Sequence, residues 1–591
     1  MKLTDEQKNA VRCDEDLMLT ACPGSGKTRV IISKLVRVLE EVRETSRGIA
    51  CITYTNAAVN EIESRIQTYL QPDDNRYYDI CTIHSFCLNN IFRPFCHLID
   101  GYKQGFKVLT PDNEAFEKHV TAICAKYGRF NLRYRDFEEF TQLRVSLQGE
   151  PVGNAIDRGG ISVQMAKDYW MRIQRAGFID FANIIYHSLS LLRERPEILN
   201  YVSSKFAWIL VDEFQDTTDL QVEILALIAA RGKTRFLFVG DPYQSIYRFA
   251  GARPDLAEEF PRRIRARTDM GLTGNFRSSP PIIAQAEKLY PRTPAMEALG
   301  TARRFTEEPE WRHGNRVIDV ITDYFLPALD GLSIPVGNAA ILAPTWFTLF
   351  PLSRQLRDYG VRVVGPGARP YRRSRHFAPL AEAACGYLME PEPESIVGIE
   401  RTLFNTLLDT TGRANFDISS YRGRTVVFRL LGIARRLREA HPGGVRRLEA
   451  AAKAFSDVLV EEGYFSSGEQ ALFAMSVEEM KADMRNNQID LDNLSIDDLG
   501  IYASPSAALK LSTLHNAKGR EYEAVAMIDV HEGRIPSYYA KTREDLDEQK
   551  RLFYVGVTRA KRYLLYVTDN SGQDGASRFL RPDTGVGVRL V

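Results

Sequence analysis

Short apolar runs that lack a helical period recur along this chain, and each predicts a buried β-strand. Most are followed by a segment in which apolar residues recur every three or four positions, the spacing of an amphipathic helix. Strands that alternate with helices indicate parallel sheets joined by helical crossovers. The predicted strands lie at 17–21, 49–53, 208–211 and 236–239 and, in a second set, at 338–343, 361–365, 510–514, 524–529 and 563–568.

Two long segments interrupt this alternation. Residues 88–185 form a polar, aromatic-rich helical stretch, and residues 376–505 form a helical stretch with an arginine-rich part and an acidic part. We therefore expect an α/β protein with two parallel-sheet domains, each carrying a mainly helical insertion. The expected first domain covers 1–87 and 186–270 around the insertion 88–185, and the second covers 271–375 and 506–591 around the insertion 376–505.

A glycine-rich loop connects the first predicted strand to the first predicted helix. Gly24 and Gly26 allow the backbone to turn so that its N–H groups face a phosphate, and the start of the helix adds a favourable dipole. Lys27 is placed to neutralise the β- and γ-phosphates of ATP, and the Thr28 hydroxyl to bind Mg²⁺. The alternative is a glycine-rich turn between a strand and a helix, with an exposed lysine and no phosphate. The strand, loop and helix follow one another in the order expected of a phosphate-binding loop, which disfavours that alternative. The phosphate-binding candidates are Pro23, Gly24, Ser25, Gly26, Lys27 and Thr28.

Two adjacent carboxylates follow the predicted strand 208–211. A carboxylate at the C-terminal tip of a parallel strand beside a phosphate-binding loop can hold Mg²⁺, and Asp212 fits that position. Glu213 is next to it and can orient and deprotonate an attacking water. The alternative is a solvated acidic turn without a function. The presence of a phosphate-binding loop in the same chain disfavours that alternative.

Composition narrows the class of protein. The 591 residues are 44% hydrophobic and 26% charged, which is typical of a large globular protein and excludes collagen-like and wholly disordered classes. Lys and Arg number 77 against 76 Asp and Glu, so any polyanion must be held by a local basic surface. No apolar run approaches the roughly 20 residues of a membrane span, and the first residues are polar. We expect a cytoplasmic protein without a membrane partner.

The cysteines admit two interpretations. In a large cytoplasmic chain they are expected to be reduced thiols, several of them in buried strands. One group, which includes two histidines, is also a candidate metal site, although its spacing matches no zinc pattern. That group is Cys81, His84, Cys87, Cys96 and His97.

Nine ordered motifs resemble those of the UvrD/Rep/PcrA-type superfamily 1A DNA helicases. The match begins with the phosphate-binding loop and with DEFQDT (212–217), which resembles the Walker B motif of that family. The resemblance implies that both sheets belong to RecA-like P-loop domains. The other motifs are LTDEQ (3–7), ITYTN (52–56), TIHSF (82–86), VGDPYQSIY (239–247), LTGNFRS (272–278), LSTLHNAKGREY (511–522) and RLFYVGVTRAK (551–561).

The resemblance implies roles for residues around an ATP bound in a cleft between the two domains. Gln7 would read the adenine edge, with Arg29 and Phe276 on the two faces of the base. Gln244 would sense the γ-phosphate, and Glu521 would lie near the ribose. Arg277 and Arg559, both expected in the second domain, would reach the γ-phosphate and stabilise the transition state, as arginine fingers do. The implied catalytic set is Lys27, Glu213, Gln244, Arg277 and Arg559.

A single nucleic-acid strand needs aromatic faces for its bases and polar groups for its phosphates. Tyr54, Tyr247 and Phe249 are the stacking candidates, although such aromatics are also common in cores. The phosphate candidates are Thr82, His84, Thr513 and His515. Two arginine clusters, at 262–267 and at 372–375, bind phosphates or form solvated faces.

Three positions depart from the family pattern. Phe249 is followed by Ala250 where the family carries an arginine, Ala57 replaces a usual lysine, and Arg520 replaces a common apolar residue.

One hypothesis for the function is an ATP-dependent translocase and helicase, moving 3′ to 5′ on single-stranded or tailed duplex DNA. The other is a DNA-sensing ATPase subunit that regulates a separate nuclease and unwinds little, as in Gabija-type antiphage systems. The later motifs disfavour a third hypothesis, a nucleotide-dependent switch that does not bind DNA. The sequence does not distinguish a DNA strand from an RNA strand, because both backbones carry the same phosphates.

Overall fold

A computed structural model describes residues 2–591 except 72, 112, 370, 372–375, 390, 392, 412, 414, 415, 441–444, 487–498, 503 and 504. Its contacts divide the chain into two compact units. The first unit comprises Met1–Thr306 and Ala540–Thr558, and the second comprises Glu307–Tyr539 and Arg559–Val591. Each unit is built around one large parallel sheet.

The first unit contains a six-stranded sheet in the order β10-β1-β9-β8-β2-β3, and every neighbouring pair in it is parallel. Helices cover both faces of this sheet, and each face buries its own apolar core. Strands of the first unit are β1 (Leu17–Ala21), β2 (Gly48–Thr53), β3 (Tyr78–Thr82), β4 (Lys107–Val108), β5 (Arg144–Val145), β6 (Pro151–Val152), β7 (Phe178–Ile179), β8 (Phe206–Val211), β9 (Arg235–Gly240), β10 (Gly271–Leu272), β11 (Gly274–Asn275) and β12 (Glu297–Ala298).

The second unit repeats this architecture with the strand order β13-β18-β17-β14-β16-β15, again parallel throughout. A separate helical core of this unit is formed by the segment that follows β15. Its strands are β13 (Glu310–Gly314), β14 (Ala339–Ala343), β15 (Val363–Val364), β16 (Leu509–Thr513), β17 (Tyr522–Met527) and β18 (Ala560–Asp569). The predicted α/β class with two parallel sheets and helical insertions is thus confirmed.

The helices alternate with the strands around both sheets and dominate the two insertions. They are α1 (Asp5–Arg12), α2 (Lys27–Val42), α3 (Asn56–Ile66), α4 (Ile83–Cys87), α5 (Arg93–Phe95), α6 (Glu114–Lys126), α7 (Tyr134–Thr141), α8 (Asn154–Asp157), α9 (Val163–Arg175), α10 (Phe181–Glu194), α11 (Pro196–Lys205), α12 (Asp219–Ala229), α13 (Pro254–Arg263), α14 (Pro280–Leu289), α15 (Val317–Val320), α16 (Leu326–Gly331), α17 (Trp346–Asp358), α18 (Ala378–Met389), α19 (Pro393–Thr411), α20 (Tyr421–Ala440), α21 (Val445–Glu461), α22 (Ser467–Asn486) and α23 (Arg543–Val557).

The sequence missed three of the four edge strands, β3, β10 and β13, whereas the edge strand β15 lies inside the predicted run 361–365. β3 and β13 each lie at the end of their sheet and are only partly buried, so their sequences are mixed rather than continuously apolar. The central strands, buried on both faces, coincide with the predicted apolar runs within a few residues. The hydrophobic pattern therefore located the centre of each sheet better than its margins.

The contacts divide the chain after residue 306, whereas the sequence pattern had suggested a boundary after residue 270. Leu272 pairs in register with Ala21 at the end of β1, and Thr273 binds Glu6 through both its N–H and its hydroxyl. These hydrogen bonds tie the segment 271–306 to the first unit. An apolar pattern cannot reveal them because β10 is only two residues long.

Candidate functional site

The phosphate-binding loop lies between β1 and α2, and its shape depends on two glycines. Gly24 and Gly26 have φ angles of +69° and +80°, in the left-handed region that favours glycine. A β-carbon on Gly24 would come within 2.5 Å of the β-carbon of Arg277, and one on Gly26 within 2.8 Å of Gln7 Nε2. The structure therefore brings two distant predicted site residues, Gln7 and Arg277, against the loop.

Lys27 and the two carboxylates meet at this loop. Lys27 Nζ donates to Glu213 Oε1 at 2.8 Å, and the Glu213 N–H donates to Asp212 Oδ1 at 2.9 Å. Burial, and then the charge of Glu213, raise the pKa of Asp212 to about 7. Burial alone would lower the pKa of Lys27, but the carboxylates of Glu213, Asp212 and Asp241 outweigh it and raise that pKa. The site therefore concentrates negative charge beside one ammonium group.

The same residues fit the magnesium ion that accompanies ATP. Thr28 lies in the first turn of α2, and Asp212 follows β8 at the same edge of the sheet. A hydroxyl and a carboxylate are hard oxygen ligands of the kind Mg²⁺ prefers. Burial and the charge of Glu213 disfavour the ionised form of Asp212 and so raise its pKa, and a cation bound here would offset both effects. Ser25 Oγ is buried and has no hydrogen-bond partner within the described part of the chain, so it suits a phosphate oxygen.

Glu213 occupies an unusual backbone conformation. Its φ of +51° lies in the left-handed region, which costs a non-glycine residue roughly 1–2 kcal/mol. Gln215 Nε2 donates to the second oxygen of this carboxylate at 2.5 Å. Held by Lys27 on one side and Gln215 on the other, the Glu213 carboxylate is oriented by two donors rather than left to rotate.

Gln244 is held in the same region by a buried ion pair. Its Nε2 donates to Asp241 Oδ2 at 2.8 Å, and the guanidinium of Arg292 donates to Asp241 Oδ1 at 2.6 Å. Arg292 also donates to the Tyr554 hydroxyl at 2.9 Å and lies 4.7 Å from the Tyr243 ring centroid. The sequence analysis missed Arg292 because it lies outside every motif. The ion pair itself depends on contacts between segments far apart in the chain.

Of the residues assigned to the adenine, Gln7 lies in α1, Arg29 lies in the first turn of α2, and Phe276 directly follows β11. Gln7 is buried, accepts the Thr4 N–H at 3.0 Å and donates to the Ser25 carbonyl at 2.8 Å. A side-chain amide has two hydrogens and an oxygen with two lone pairs, so it can still bind a base edge. The Arg29 guanidinium lies 5.9 Å from the Phe276 ring centroid. All three predicted adenine residues therefore surround one place beside the phosphate-binding loop.

The two finger candidates belong to different units. Both had been expected in the second domain, but Arg277 lies in the first unit, where the neighbouring Phe276 N–H donates to the Gly24 carbonyl at 2.9 Å. Arg277 donates to the carbonyl of Thr558, the residue before Arg559, at 3.3 Å. Arg559 is buried in the second unit and donates to the Arg520 carbonyl at 3.1 Å. Contacts that no sequence pattern encodes thus assign Arg277 to the unit of the phosphate-binding loop.

Glu521 also belongs to the second unit. Its carboxylate forms an ion pair with Lys561 at 2.9 Å, and it is about half exposed. Lys561 comes from the last motif, and Glu521 from the one before it. The structure therefore joins two motifs of the second unit through this pair, and the ribose role of Glu521 stays a prediction.

Three stacking candidates form one cluster, which we call the aromatic platform (Tyr54, Tyr247 and Phe249). The rings of Tyr54 and Tyr247 are stacked 5.1 Å apart at 14°, and Phe249 meets Tyr247 at 6.0 Å and 64°. Phe249 is 48% exposed, and the other two are partly buried. Burial, and then the charge of Asp216, raise the pKa of Tyr54 to about 12. Phe249 therefore offers the most open face to a base.

The two phosphate candidates of the first unit lie at the end of β3, where Thr82 is its last residue, and in the following helix α4, which contains His84. The Thr82 hydroxyl accepts the Ser85 N–H at 3.2 Å and thereby caps α4. Burial lowers the pKa of His84, whose ring meets Phe181 edge-on at 5.5 Å. Phe181 is 43% exposed and was not predicted from the sequence. An exposed aromatic beside His84 suits a nucleic-acid surface, but its only signal in the sequence is a phenylalanine at the start of a helix.

The corresponding candidates of the second unit lie at the end of β16, where Thr513 is its last residue, and two residues further on at His515. Thr513 is buried, and its hydroxyl accepts the Asn516 N–H at 3.3 Å. Burial, and then the nearby Lys518, lower the pKa of His515 to about 4. His515 is therefore neutral near pH 7 and acts as a hydrogen-bonding group rather than a cation.

The remaining predictions have mixed outcomes. All eight cysteines are buried free thiols, and within the described residues no group of three His, Cys, Asp or Glu side chains could hold a metal ion.

In the arginine cluster at 262–267, Arg267 pairs with Asp269 at 2.8 Å and Arg263 with Glu223 at 3.4 Å. The cluster at 372–375 and the side chain of Ala57 lie outside what the structure describes. Arg520 is exposed.

No helix in the described parts of the chain combines the length and apolarity needed to cross a bilayer.

Comparison with known proteins agrees with this geometry. The family model described as the UvrD/REP helicase N-terminal domain matches residues 3–265, and the UvrD-like helicase C-terminal domain matches residues 474–571. The chain therefore belongs to the UvrD/Rep family of helicases.

Individual relatives are distant in sequence but match along nearly their whole length. The ATP-dependent DNA helicase Rep of Escherichia coli is 24% identical over 636 residues, covering 96% of this chain and 90% of that protein. DNA helicase II of Escherichia coli is 24% identical over 644 residues, covering 99% and 87%. The ATP-dependent DNA helicase UvrD1 of Mycobacterium bovis is 24% identical over 672 residues, covering 98% and 84%.

Proposed function

We propose that this protein is an ATP-driven motor that moves 3′ to 5′ along single-stranded DNA in the cytoplasm and opens tailed duplexes. Its family makes it an ATP-hydrolysing DNA helicase. One observation carries the rest: the nine-residue segment 241–249 joins the nucleotide site to the aromatic platform. Asp241 orients Gln244 at one end of this segment, and Phe249 is exposed at the other.

The chemistry assigned to the site is hydrolysis of the γ-phosphate. Glu213 accepts a proton from the attacking water, the water oxygen bonds to the γ-phosphorus, and the bond from that phosphorus to the bridging oxygen breaks. Lys27, Arg277 and Arg559 neutralise the charge that spreads over the phosphate oxygens. Thr28 and Asp212 would hold Mg²⁺, which supplies further charge neutralisation on the phosphates when bound.

Coupling to DNA follows from the connection between the two ends of the segment. Gln244 gains or loses a partner when the γ-phosphate binds or leaves, and the short chain from Gln244 to Phe249 transmits the change. A two-state shift of this kind needs only that the nucleotide favours one arrangement of the segment. Bases stacked on the aromatic platform would then be gripped differently in the ATP and ADP states.

The decisive experiment measures ATP turnover with and without single-stranded DNA, alongside strand displacement on duplexes with a 3′ or a 5′ tail. We expect DNA to stimulate turnover and only the 3′-tailed duplex to be opened. Equal opening of both substrates would reject the polarity, and turnover indifferent to DNA would reject the motor. An RNA strand in parallel decides the preferred polynucleotide.

A second candidate function is a DNA-sensing ATPase subunit that regulates a separate nuclease. Ala250 favours it, because the position after Phe249, where the family carries an arginine, has no cation with which to hold a phosphate. In that case DNA would stimulate turnover while neither tailed duplex is displaced. The same assay therefore separates the two functions.

A further inference from the structure

An arginine from the helical insertion reaches the aromatic platform. Arg144 lies in β5 and pairs with Val152 of β6. Its guanidinium packs against Gly251, whose φ is +95°, and a β-carbon at that position would overlap it. Asn154, just after β6, donates from Nδ2 to the Phe249 carbonyl at 3.5 Å. The β5–β6 hairpin therefore contacts the chain on both sides of residue 250.

The guanidinium of Arg144 lacks the partners that an arginine in this setting normally has. Its Nε is buried, and within the described residues Arg144 forms neither a side-chain hydrogen bond nor an ion pair. Asp219 and Asp157 lie close enough to act on it electrostatically, but neither pairs with it. Burial dominates and lowers the pKa of Arg144. A guanidinium carries five N–H donors, and leaving a buried charged donor unmatched is costly.

Of the Arg144 nitrogens, only Nε is buried without a partner among the described residues, so the positively charged terminal nitrogens are open to a ligand, and an anion with several acceptor oxygens suits them. A phosphate meets this requirement, since arginine binds two of its oxygens at once. A single strand whose bases lie on the aromatic platform carries phosphates beside it at every nucleotide. The nucleotide phosphates are already assigned to the loop 23–28, so the strand is the remaining source within the proposed function.

We propose that Arg144 binds a backbone phosphate of the single strand whose bases stack on the aromatic platform, and so supplies the cation that Ala250 lacks. This inference rests on the proposed function of the platform. It assigns to the insertion a direct part in holding DNA. A cation from another segment then restores the pairing of an aromatic ring with a positive charge.

The test is the salt dependence of DNA binding by the full-length protein. A fluorescein-labelled oligothymidine is titrated at several KCl concentrations with wild type, Arg144→Gln and Arg144→Lys. Arg135→Ala is the matched control, because Arg135 is an exposed arginine of the same insertion. For Arg144→Gln we expect affinity to fall about tenfold at low salt, the effect of one lost charged hydrogen-bonding partner. The slope of log Kd against log salt should shrink by about 0.7, the value for one phosphate contact on a single strand.

Arg144→Lys should keep the slope while losing part of the affinity, since it retains the charge but not the two-pronged geometry. Asp157→Asn tests the structural alternative, in which Arg144 serves only to hold the hairpin near Asp157 and Asp219. An unchanged slope in Arg144→Gln, or an equal loss in Asp157→Asn, would overturn the inference. Thermal unfolding confirms that each variant is folded, and Arg144→Lys serves if the glutamine variant is not. Failure of the wild type to bind the oligothymidine would reject the proposed function instead.

Discussion

The two six-stranded sheets have the same parallel architecture, but the loops after their strands differ. In the first unit, β1 leads into the glycine-rich loop and β8 ends beside Glu213, whose φ of +51° holds its carboxylate 2.8 Å from Lys27. In the second unit, β17 is followed by Asp529, which also has a left-handed φ, of +59°. Its nearest ion-pair partner is Arg534, at 3.9 Å.

The comparison shows that the two sheets place their loops in similar positions, and that the residues of those loops determine which chemistry is possible. An acidic residue after a central strand occurs in both units, and in both it is held in a strained conformation. Among the residues that the structure describes, only the first unit adds a loop whose N–H groups and lysine can bind phosphate. In the second sheet, Thr513 ends β16 and His515 follows it, and Arg559 immediately precedes β18. We therefore expect substitutions at the phosphate-binding loop of the first unit to remove chemistry, and those at Arg559 and His515 in the second unit to alter its rate or its dependence on DNA.

The largest expected effect, and the strongest test of this difference between the units, comes from removing Lys27 of the phosphate-binding loop. Lys27→Ala should lower ATP turnover by about 10²–10³-fold or more, because the phosphate charge loses its closest neutralising group. Steady-state phosphate release measures the change. Lys8→Ala, an exposed lysine of α1 in the same unit, is the control and should keep wild-type turnover. Turnover retained by Lys27→Ala would reject the assignment of the loop.

Removing the arginine that holds the segment 241–249 tests how far the nucleotide site depends on its support. Arg292→Gln leaves the fully buried Asp241 without its ionic partner, which should cost about 3–5 kcal/mol of unfolding free energy. Urea unfolding measures this loss. The double variant with Asp241→Asn should recover part of the stability, because no buried charge is then left over. A single variant as stable as wild type would show that the pair contributes nothing.

The second unit is expected to contribute rate rather than nucleotide affinity. Arg559→Ala should leave ATP binding near its wild-type value and cut hydrolysis at least about tenfold, in keeping with the larger effects of arginine fingers. Binding of a fluorescent ATP analogue and single-turnover hydrolysis separate the two quantities. Arg578→Ala, a half-exposed arginine of the same unit, is the control. If hydrolysis is unchanged, Arg559 serves only to hold the Arg520 carbonyl.

The aromatic platform should affect DNA dependence alone. Phe249→Ala should weaken DNA-stimulated turnover by about 1–3 kcal/mol of base stacking and leave turnover without DNA as it was. The measurement is the DNA concentration that half-maximally stimulates hydrolysis. Phe130→Ala is a suitable control, as that residue is 71% exposed and lies in the insertion. An identical DNA dependence in Phe249→Ala would show that the ring only packs against Tyr247.

The smallest expected effect concerns charge in the second unit. Because burial lowers the pKa of His515 to about 4, the folded protein holds this side chain neutral above that pH. His515→Gln should therefore leave the pH dependence of DNA affinity unchanged between about pH 6 and pH 8. Fluorescence anisotropy across that range measures it. A rise in affinity toward pH 6 that disappears in the variant would mean that DNA binding protonates the histidine.

The sequence by itself determined the class of fold and predicted the candidate reacting groups. Central strands are buried on both faces, so they must be apolar throughout, and a phosphate-binding loop needs glycine, lysine and threonine in consecutive positions. Both requirements are local, and each leaves a readable pattern, as at 17–28 and 208–213.

Only the tertiary structure decided how distant residues support these groups. Arg277 joins the unit of the phosphate-binding loop through hydrogen bonds of two very short strands, and Arg292 reaches Asp241 across 51 positions of the chain. Phe181 and Arg144 lie near the predicted nucleic-acid residues without any motif of their own. A buried ion pair or an edge contact depends on which surfaces pack together, and a linear pattern of apolar and polar positions carries no record of that choice.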